Sequence, residues 1–288
     1  MKKNKRLLTY LCATGVLAGA TLIGATTVIP KEKIEVSAAS ETNSEIQKED
    51  IQNKMANSID NFSYAKGSYR YFAEFSNTDY TVDFQVRLKG QPASYSKSHN
   101  LKTGTEFENK FDGNNVMGIL HADKTYYINS VDKENPEDPA VKGKLAKQRY
   151  IKDSKGNING AVYRHDPAFM GMASEILFNQ NIIFGFLQDY SKWDIVGHED
   201  YLGYDSTVLA GQLSEGYKIK QGATTFKMWV DSKTGILLKS EAYNENNEVV
   251  FSITCTDLKL NGTLDDNKFK LEKPVNYKEL ESKPLPKQ

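Results

Sequence analysis

The sequence predicts an α+β protein, mainly β, built on one curved antiparallel sheet or open barrel. Short segments in which aromatic or β-branched residues alternate with polar ones recur over most of the chain. Turn signals such as NTD (77–79) and DGN (112–114) separate these segments, so each strand is expected to pair with its neighbour in sequence. Helical periodicity is confined to two stretches, near 51–62 and in 166–190. Sequence-adjacent strands with few helices are typical of a single antiparallel sheet.

An amphipathic helix is expected to precede the sheet. Ile51, Met55, Ile59 and Phe62 recur at i, i+4, i+8 and i+11, which places them on one face of a helix of about three turns. Residues 39–50, which come before this pattern, are polar and are expected to be flexible.

The strands are expected in two runs. The first run contains SYRYFAEF (68–75), YTVDFQVRL (80–88), ASYSKS (93–98), two strands within 106–120, and KTYYINS (124–130). Residues 131–147 are charged and contain two prolines, which indicates a loop or insertion, and QRYIKD and AVYRHD flank a turn at 154–160. The second run contains two strands within 194–213, followed by YKIKQGATTFKMWVD, GILLKSEAY and EVVFSITCTDLKL.

One apolar segment interrupts the β pattern. Asp166 is a good N-cap residue, and Pro167 suits the first position of a helix. Apolar residues then recur at helical spacing from Phe169 to Leu187, but further apolar side chains lie off that stripe, namely Met170, Phe178, Ile182 and Phe184. The segment 169–187 is therefore more apolar than a surface helix pair requires.

The N-terminus has the organisation of a secretory signal peptide. Lys2, Lys3, Lys5 and Arg6 precede an uncharged stretch, and the small residues of VSAAS (36–40) offer a cleavage site. The apolar stretch is long, so an uncleaved anchor is the alternative for residues 1–38. The remaining chain is expected to comprise a flexible segment (39–50), one domain (51–272) and an extended C-terminal tail (273–288).

Charge and cysteine content exclude several classes of protein. The chain has 37 basic and 37 acidic residues, and removal of the basic N-terminus leaves a small acidic excess, so nucleic acid is not expected as a partner. Of the two cysteines, Cys12 lies in the N-terminal apolar stretch and only Cys255 would remain after cleavage, so no internal disulfide is expected. The lysine-rich N-terminus and the lack of cysteine pairs indicate a Gram-positive bacterium.

The stretch DSKTG (231–235) differs by one inserted residue from the DKTG phosphorylation motif of P-type ATPases. Asp231 could therefore be a nucleophile, or the stretch could be a turn between two strands. Asp at the start of a turn accepts backbone hydrogen bonds, and Gly235 can adopt positive φ without steric cost. Because none of the large membrane and nucleotide-binding parts of such an ATPase is encoded, the sequence favours the turn.

The remaining chemistry-bearing residues form no recognisable catalytic or metal-binding pattern. The four histidines, His99, His121, His165 and His198, show no close ligand spacing, and no serine lies in a GxSxG motif. Glu199 and Asp200 are adjacent, so on a strand they would point to opposite faces. We therefore expect no enzyme activity, no metal and no cofactor.

The second half of the chain resembles the LolA/RseB/LppX superfamily. The resemblance is carried by WDIVGHEDYLGYDSTVLAG (193–211), FKMWVDSKTGILLKSEAYNENNEVVFSITCTDLKLNG (226–262) and DDNKFKL (265–271). FDGNNVMGILHADKTYYI (111–128) is similar to a strand pair in the middle of the family's sheet. The resemblance implies a strongly curved antiparallel sheet forming an incomplete (open) barrel, with an N-terminal helix and a helical lid over the concave face.

The resemblance also implies an exported binding protein rather than an enzyme. LolA-like members carry lipoprotein acyl chains, LppX-like members bind lipids, and RseB-like members act as envelope-stress sensors upstream of an anti-sigma factor. A Gram-positive cell has no outer membrane, and this chain has no lipobox, so neither LolA's shuttle task nor a lipid anchor like that of LppX transfers directly. The expected location is extracytoplasmic, either secreted or attached to the outer face of the cytoplasmic membrane.

The apolar segment 169–187 is the candidate ligand-binding region. The alternative is that its apolar residues simply fill the core under the sheet. As a lid, the segment would hold a lipid or a lipidated peptide mainly by apolar contact. The residues expected to line or cover the cavity are Phe169, Met170, Met172, Ile176, Leu177, Ile182, Ile183, Phe184, Phe186 and Leu187. A second reading is an RseB-like regulatory module that contacts a membrane-bound signalling protein, and a hydrolase is the third.

Overall fold

A computed structural model of the chain describes residues 38–131, 141 and 144–281. The proposed signal peptide or anchor lies outside these residues except for Ala38. Most of the expected loop 131–147 and the last seven residues of the tail also lie outside them.

The strands form the two expected runs. The first run comprises β1 (Tyr64–Ala73), β2 (Thr78–Arg87), β3 (Ala93–Asn100), β4 (Glu106–Phe111), β5 (Asn115–Leu120) and β6 (Thr125–Ser130). A separate hairpin contains β7 (Tyr150–Lys152) and β8 (Ile158–Ala161). The second run comprises β9 (Trp193–Tyr201), β10 (Tyr204–Gln212), β11 (Thr225–Asp231), β12 (Leu237–Tyr243) and β13 (Val249–Leu260). A short strand that was not expected, β14 (Lys278–Glu279), lies in the C-terminal tail.

Pairing of β1 with β13 joins both runs into one twelve-stranded sheet of order β14-β6-β5-β4-β3-β2-β1-β13-β12-β11-β10-β9. All pairs are antiparallel except β14 with β6. Register shifts in the β1–β13, β9–β10, β11–β12 and β12–β13 pairs bend the sheet, because a bulge adds a residue on one strand only. The edges β9 and β14 do not pair, so the predicted mainly β, open-barrel fold is confirmed.

The N-terminal helix α1 (Ala38–Ala56) packs its predicted apolar face into the core. Ile51 and Met55 are buried on α1, and Ile59 and Phe62 are buried just beyond its end. A 3-10 turn (Ser58–Asp60) follows α1 and places Ile59 in the same core, and Phe62 follows this turn.

The helix α1 begins earlier than the sequence pattern indicates, and it includes the stretch 39–50 that was expected to be flexible. Tertiary contacts hold its polar residues. Lys48 Nζ contacts Asp194 Oδ1 at 2.6 Å, and Lys147 Nζ contacts Glu49 Oε2 at 2.6 Å. Both partners lie far away in sequence, so local periodicity could not reveal the extension.

The apolar segment 169–187, which we call the lid, contains three short helical pieces. They are a 3-10 turn (Gly171–Ala173), α2 (Ser174–Leu177) and α3 (Gln180–Phe186). The lid is anchored to α1 and the turn that follows it, where Gln52 Nε2 donates to Leu187 O and Ser58 Oγ donates to Leu177 O. The prediction of a helical lid is therefore confirmed, although its helices are short.

The predicted helix start at Asp166 is wrong. The Asp166 carboxylate does accept hydrogen bonds from Ala168 N and Met170 N, as a capping residue would. However, Phe169 has φ +46° and Gly171 has φ +56°, so the chain leaves the right-handed helical region twice. The first helical turn consequently begins only at Gly171.

A fourth helix, α4 (Glu215–Gln221), replaces part of a predicted strand. The sequence YKIKQ alternates in the way a strand does, but none of its residues is fully buried, and only Tyr217 packs against the core. Gly222 ends the helix with φ +69°, and its N–H donates to Lys218 O at 2.8 Å.

The described part of the C-terminal tail covers one edge of the sheet. Lys278 N donates to Lys124 O and Leu280 N donates to Tyr126 O, so β14 extends along β6. None of the helices in the described ranges combines the length and the apolar character needed to span a bilayer.

Candidate ligand-binding site

The inner face of the sheet changes from apolar to polar between β2 and β3. On β2 the inward-facing Val82, Phe84 and Val86 are buried in the main core. Their partners on β3 are Ser98, Ser96 and Ser94, in that order. Serine side chains are small, so this half of the inner face leaves room above the sheet that the apolar half fills with side chains.

The start of the lid docks on this polar half. Ser94 Oγ donates to Phe169 O at 2.9 Å, and Asn109 Nδ2 donates to the same oxygen at 3.3 Å. A Cβ on Gly171 would lie 2.9 Å from Asn109 Nδ2 and 3.4 Å from Ser96 Oγ, so glycine allows the close approach of the chain to the sheet. The small polar residues of β3 and β4 therefore hold the lid by its backbone.

Asp166 fixes the backbone immediately before the lid. Its Oδ1 accepts from Ala168 N at 2.9 Å, and its Oδ2 accepts from Met170 N at 2.5 Å. Burial raises the pKa of Asp166 to about 6, because hydration of the ionised form is lost, while hydrogen bonds from Ala168, Met170 and Phe169 N–H oppose the shift. The turn thus contains a carboxyl group whose charge is costly near neutral pH.

A cavity of about 850 Å³ lies between the lid, the loop after β8 and the inner face of β4–β6. This volume is within the range of small-molecule sites. Its wall is lined by Asn109, Val116, Tyr127, Ile151, Ala161, Val162, Tyr163, Arg164, His165, Asp166, Phe169, Gly171, Ser174, Glu175, Phe178, Asn179, Gln180 and Asn181. Apolar side chains and hydrogen-bonding groups share the wall, so the cavity suits a ligand with both characters.

Glu175 is the one charged residue in the sequence of the lid, and it lies in the cavity wall. Its Oε2 accepts from Asn179 Nδ2 at 2.8 Å, and Asn179 Oδ1 accepts from Ile182 N at the start of α3. Burial raises the pKa of the Glu175 carboxyl, and the Asn179 hydrogen bond opposes that shift. The carboxyl is therefore held in a fixed position where its ionised form is poorly hydrated.

The ten residues predicted to line or cover the cavity are distributed unevenly. Eight of them are buried in the main core, namely Met170, Ile176, Leu177, Ile182, Ile183, Phe184, Phe186 and Leu187. Met172 is partly buried against the same core. Phe169 lines the cavity, where its ring packs 4.9 Å from the ring of Phe111. The set thus forms the packed underside of the lid, and Phe169 connects it to the cavity.

The sequence reasoning missed the polar part of the wall. Asn109 and Tyr127 come from β4 and β6, and nothing in the local pattern of those strands distinguishes them from other inward-facing positions. Glu175 could have been found from the sequence, since a single charged residue within an apolar segment usually has a hydrogen-bonding partner or a function. Asn179 and Gln180 gave a weaker indication, since they interrupt the same segment.

The DSKTG stretch is a hairpin turn between β11 and β12, as the sequence favoured. Asp231 is 4% exposed, and its Oδ2 accepts hydrogen bonds from Thr234 N at 3.0 Å and from Thr234 Oγ1. Gly235 closes the turn with φ +78°, and its N–H donates to Asp231 O at 2.8 Å. The carboxylate is enclosed and already hydrogen-bonded, which is the environment of a structural residue.

Replacement of Asp231 with alanine is expected to lower the free energy of unfolding by about 2 kcal/mol, because it leaves buried donors of Thr234 without an acceptor. Denaturant unfolding measures this change. Asp200→Ala is the matched control, since Asp200 is exposed and accepts one bond, from Gly203 N at 3.2 Å, in the turn between β9 and β10. If Asp200→Ala lowers the free energy of unfolding as much as Asp231→Ala does, burial of the Asp231 carboxylate does not explain the effect.

Among the residues that the structure describes, no group of three or more His, Cys, Asp or Glu side chains could hold a metal ion. His121 contacts Glu108 Oε1 and Tyr277 Oη on the outer face, at 3.0 and 2.8 Å. This contact attaches the C-terminal tail to the sheet.

Comparison with known proteins gives one family match and several structural likenesses. Residues 225–273 match the family model described as the MucB/RseB N-terminal domain. No curated protein matches the chain. The matched stretch runs from β11 through β13 and beyond, which is the part of the chain with the most specific sequence pattern.

Three solved structures illustrate the likeness. MucB is 17% identical with a TM-score of 0.42, and the match covers 79% of this chain and 63% of MucB. The MucA/MucB complex of Pseudomonas aeruginosa gives 15% identity, a TM-score of 0.41, and coverage of 78% and 61%. The lipoprotein LppX of Mycobacterium tuberculosis gives 11% identity, a TM-score of 0.38, and coverage of 77% and 99%.

The chain thus spans somewhat less than two thirds of the length of MucB. Its late strands carry the sequence pattern of the MucB/RseB N-terminal domain over residues 225–273, so the expected resemblance to RseB-like proteins is confirmed for that stretch.

Proposed function

We propose that this protein is an exported binding protein, not an enzyme, and that it holds a lipid or a lipidated peptide in the cavity under the lid. The observation that carries the proposal is the cavity of about 850 Å³ on the concave side of an open sheet. The protein acts outside the cytoplasmic membrane, either secreted or attached to its outer face, and needs no cofactor for this task.

The ten predicted lid residues contribute to ligand binding mainly by holding the lid in place. Their burial fixes the lid against the apolar half of the sheet, so that Phe169 and the polar residues of the lid face the cavity from a rigid support. The apolar part of a ligand would contact Phe169, Val116 and Phe178, while its polar part would contact the hydrogen-bonding residues of the same wall.

Filling the cavity is expected to abolish ligand uptake. Val162→Trp adds a large side chain to the cavity wall, so we expect at least a tenfold loss of affinity for a fluorescent fatty acid, with melting nearly unchanged. Fluorescence titration of the purified protein measures the affinity, and native mass spectrometry tests for a co-purified amphiphile.

Val249→Trp is the matched control for this experiment, because Val249 is exposed at the start of β13 and does not line the cavity. Uptake by Val162→Trp equal to that of the unmodified protein would contradict the assignment of the cavity. A protein that co-purifies with no amphiphile and takes up neither this fatty acid nor a neutral or cationic amphiphile would contradict the proposed function.

The second candidate is an RseB-like regulatory module that contacts a membrane-bound signalling protein. The match of residues 225–273 to the MucB/RseB N-terminal domain favours it, and MucB has been crystallised in a complex with MucA. Pull-down from membranes with Val162→Trp separates the two functions. A partner retained by a variant that no longer takes up ligand supports regulation as an activity independent of the cavity.

A further inference from the structure

Glu175 lines the cavity, and its carboxyl forms an ion pair with no cation in the described ranges. Asn179 Nδ2, a neutral donor, holds its Oε2. The wall also contains Arg164, whose guanidinium forms an ion pair with Asp60 Oδ2 at 2.6 Å and so is directed to another group. Glu175 takes part in no ion pair with the described residues.

The charge of the same carboxyl acts on three tyrosine side chains of β1 and β2. After burial, the Glu175 charge is a further cause of the raised pKa values of Tyr69, Tyr71 and Tyr80. The rings of Tyr71 and Tyr80 stack at a centroid distance of 4.8 Å, and Tyr69 Oη donates to Met172 O at 2.6 Å. The cavity wall itself contains Tyr127 and Tyr163, whose electron-rich ring faces attract a cation.

A carboxylate that loses its hydration without a compensating cation is costly to keep ionised. A ligand that brings an ammonium group to Glu175 removes this cost, because the charge pair forms in surroundings that are already shielded from water. A ligand with a neutral head group leaves the cost in place, and an anionic one adds repulsion. The cavity therefore discriminates between ligands by the charge of their head group.

We propose that Glu175 binds the primary ammonium group of an amphiphilic ligand, whose chain lies along the apolar part of the cavity wall. This inference rests on the proposed function, since it names the ligand class of the same cavity. The ammonium would donate hydrogen bonds to Glu175 Oε1 and Oε2. Asn179 acts as a positioning residue, because its side chain holds the carboxyl and caps α3.

Calorimetric titration with single-chain C12 amphiphiles tests the inference, with each ionic compound kept below its micelle concentration and dodecanol below its solubility limit. We expect dodecylammonium to bind at least tenfold more tightly than dodecanol, and laurate to bind more weakly than dodecylammonium. Glu175→Gln, which keeps the size and an acceptor for Asn179, should lower the dodecylammonium affinity at least tenfold and leave the dodecanol affinity unchanged. Glu272→Gln is the matched control, since Glu272 is exposed and outside the cavity.

The possible outcomes are distinct. Equal affinities for dodecylammonium and dodecanol, or a preference that survives Glu175→Gln, would overturn the inference and leave the proposed function intact. Failure of all three C12 compounds to bind would overturn both. Butylammonium is the short-chain comparison: tight binding of this compound would assign the site to a hydrophilic amine and overturn the amphiphile part of the inference.

Discussion

Replacement of Gly235 with alanine is expected to lower the free energy of unfolding by about 3 kcal/mol or more. Gly235 has φ +78°, a conformation that costs a residue with a Cβ about 1 kcal/mol. A Cβ there would also overlap the carbonyl of Lys54 and the nitrogen of Met55, which belong to the backbone of α1. Because neither backbone can shift alone, α1 would have to move away from the β11–β12 hairpin.

The same hairpin is bound to the N-terminal region by two further contacts. Lys54 Nζ donates to Ser232 O at 2.9 Å, and Asn61 Nδ2 donates to Thr234 O at 3.0 Å. Separation of α1 from the hairpin would therefore remove these bonds as well as apolar packing. The expected loss is correspondingly larger than the backbone strain alone.

Gly203→Ala separates strain from overlap. Gly203 has φ +80° in the turn between β9 and β10, but a Cβ there meets nothing within 4 Å. We therefore expect a loss of only about 1 kcal/mol for this control. Denaturant unfolding of both variants measures the difference, and equal losses would show that the contact of Gly235 with α1 adds nothing to stability.

Replacement of Asp166 with asparagine is expected to change how stability depends on pH. The pKa of Asp166 rises from 3.8 to about 6 on folding, so its favourable contribution is complete below about pH 4 and is lost as the pH rises through 6. The shift corresponds to a loss of at most about 3 kcal/mol by pH 7. An asparagine side chain cannot ionise, so this loss is absent from the Asp166→Asn variant.

Unfolding free energies of both proteins between pH 4 and 7 test this expectation. At pH 4 the variant should be the less stable, since an amide NH₂ cannot accept the second backbone hydrogen bond that Asp166 accepts from Met170 N. The difference in unfolding free energy between the two proteins should be smaller at pH 7 than at pH 4, by up to about 3 kcal/mol. Asp153→Asn should give a small difference of the opposite sign, because hydrogen bonds from Asn157 lower the pKa of this exposed carboxyl. If the difference in unfolding free energy between Asp166→Asn and the unmodified protein does not change with pH, the raised pKa of Asp166 is refuted.

Local pattern was sufficient for the strands and for their order. Alternation and turn signals predicted the two runs, because a half-buried antiparallel strand shows its inner and outer faces directly in sequence. The DSKTG turn followed from the same reasoning, since Asp231 and Gly235 perform tasks that depend on a few neighbouring residues. YKIKQ shows where this reasoning fails: alternation without burial is compatible with the exposed helix α4.

The lid was predicted in place and in character, but not in its details. Its apolar excess indicated either a ligand-facing surface or core, and burial shows that most of this excess is core. The helix start was misplaced because Phe169 and Gly171 adopt positive φ, and contacts with Ser94 and Asn109 on distant strands hold that conformation. Nothing in the sequence of the lid indicates that Ser94 and Asn109 are its partners.

By itself, the sequence determined an open antiparallel sheet, an N-terminal helix, an apolar lid and a structural Asp231, because each depends on residues close together in the chain. Only the tertiary structure decided where space remains. The lid docks on the serines of β3 and brings Glu175 to the cavity, and strands far away in sequence supply Asn109, Val116 and Tyr127 to the same wall. A cavity is defined by side chains that converge from separate elements, and the folded chain alone brings them together.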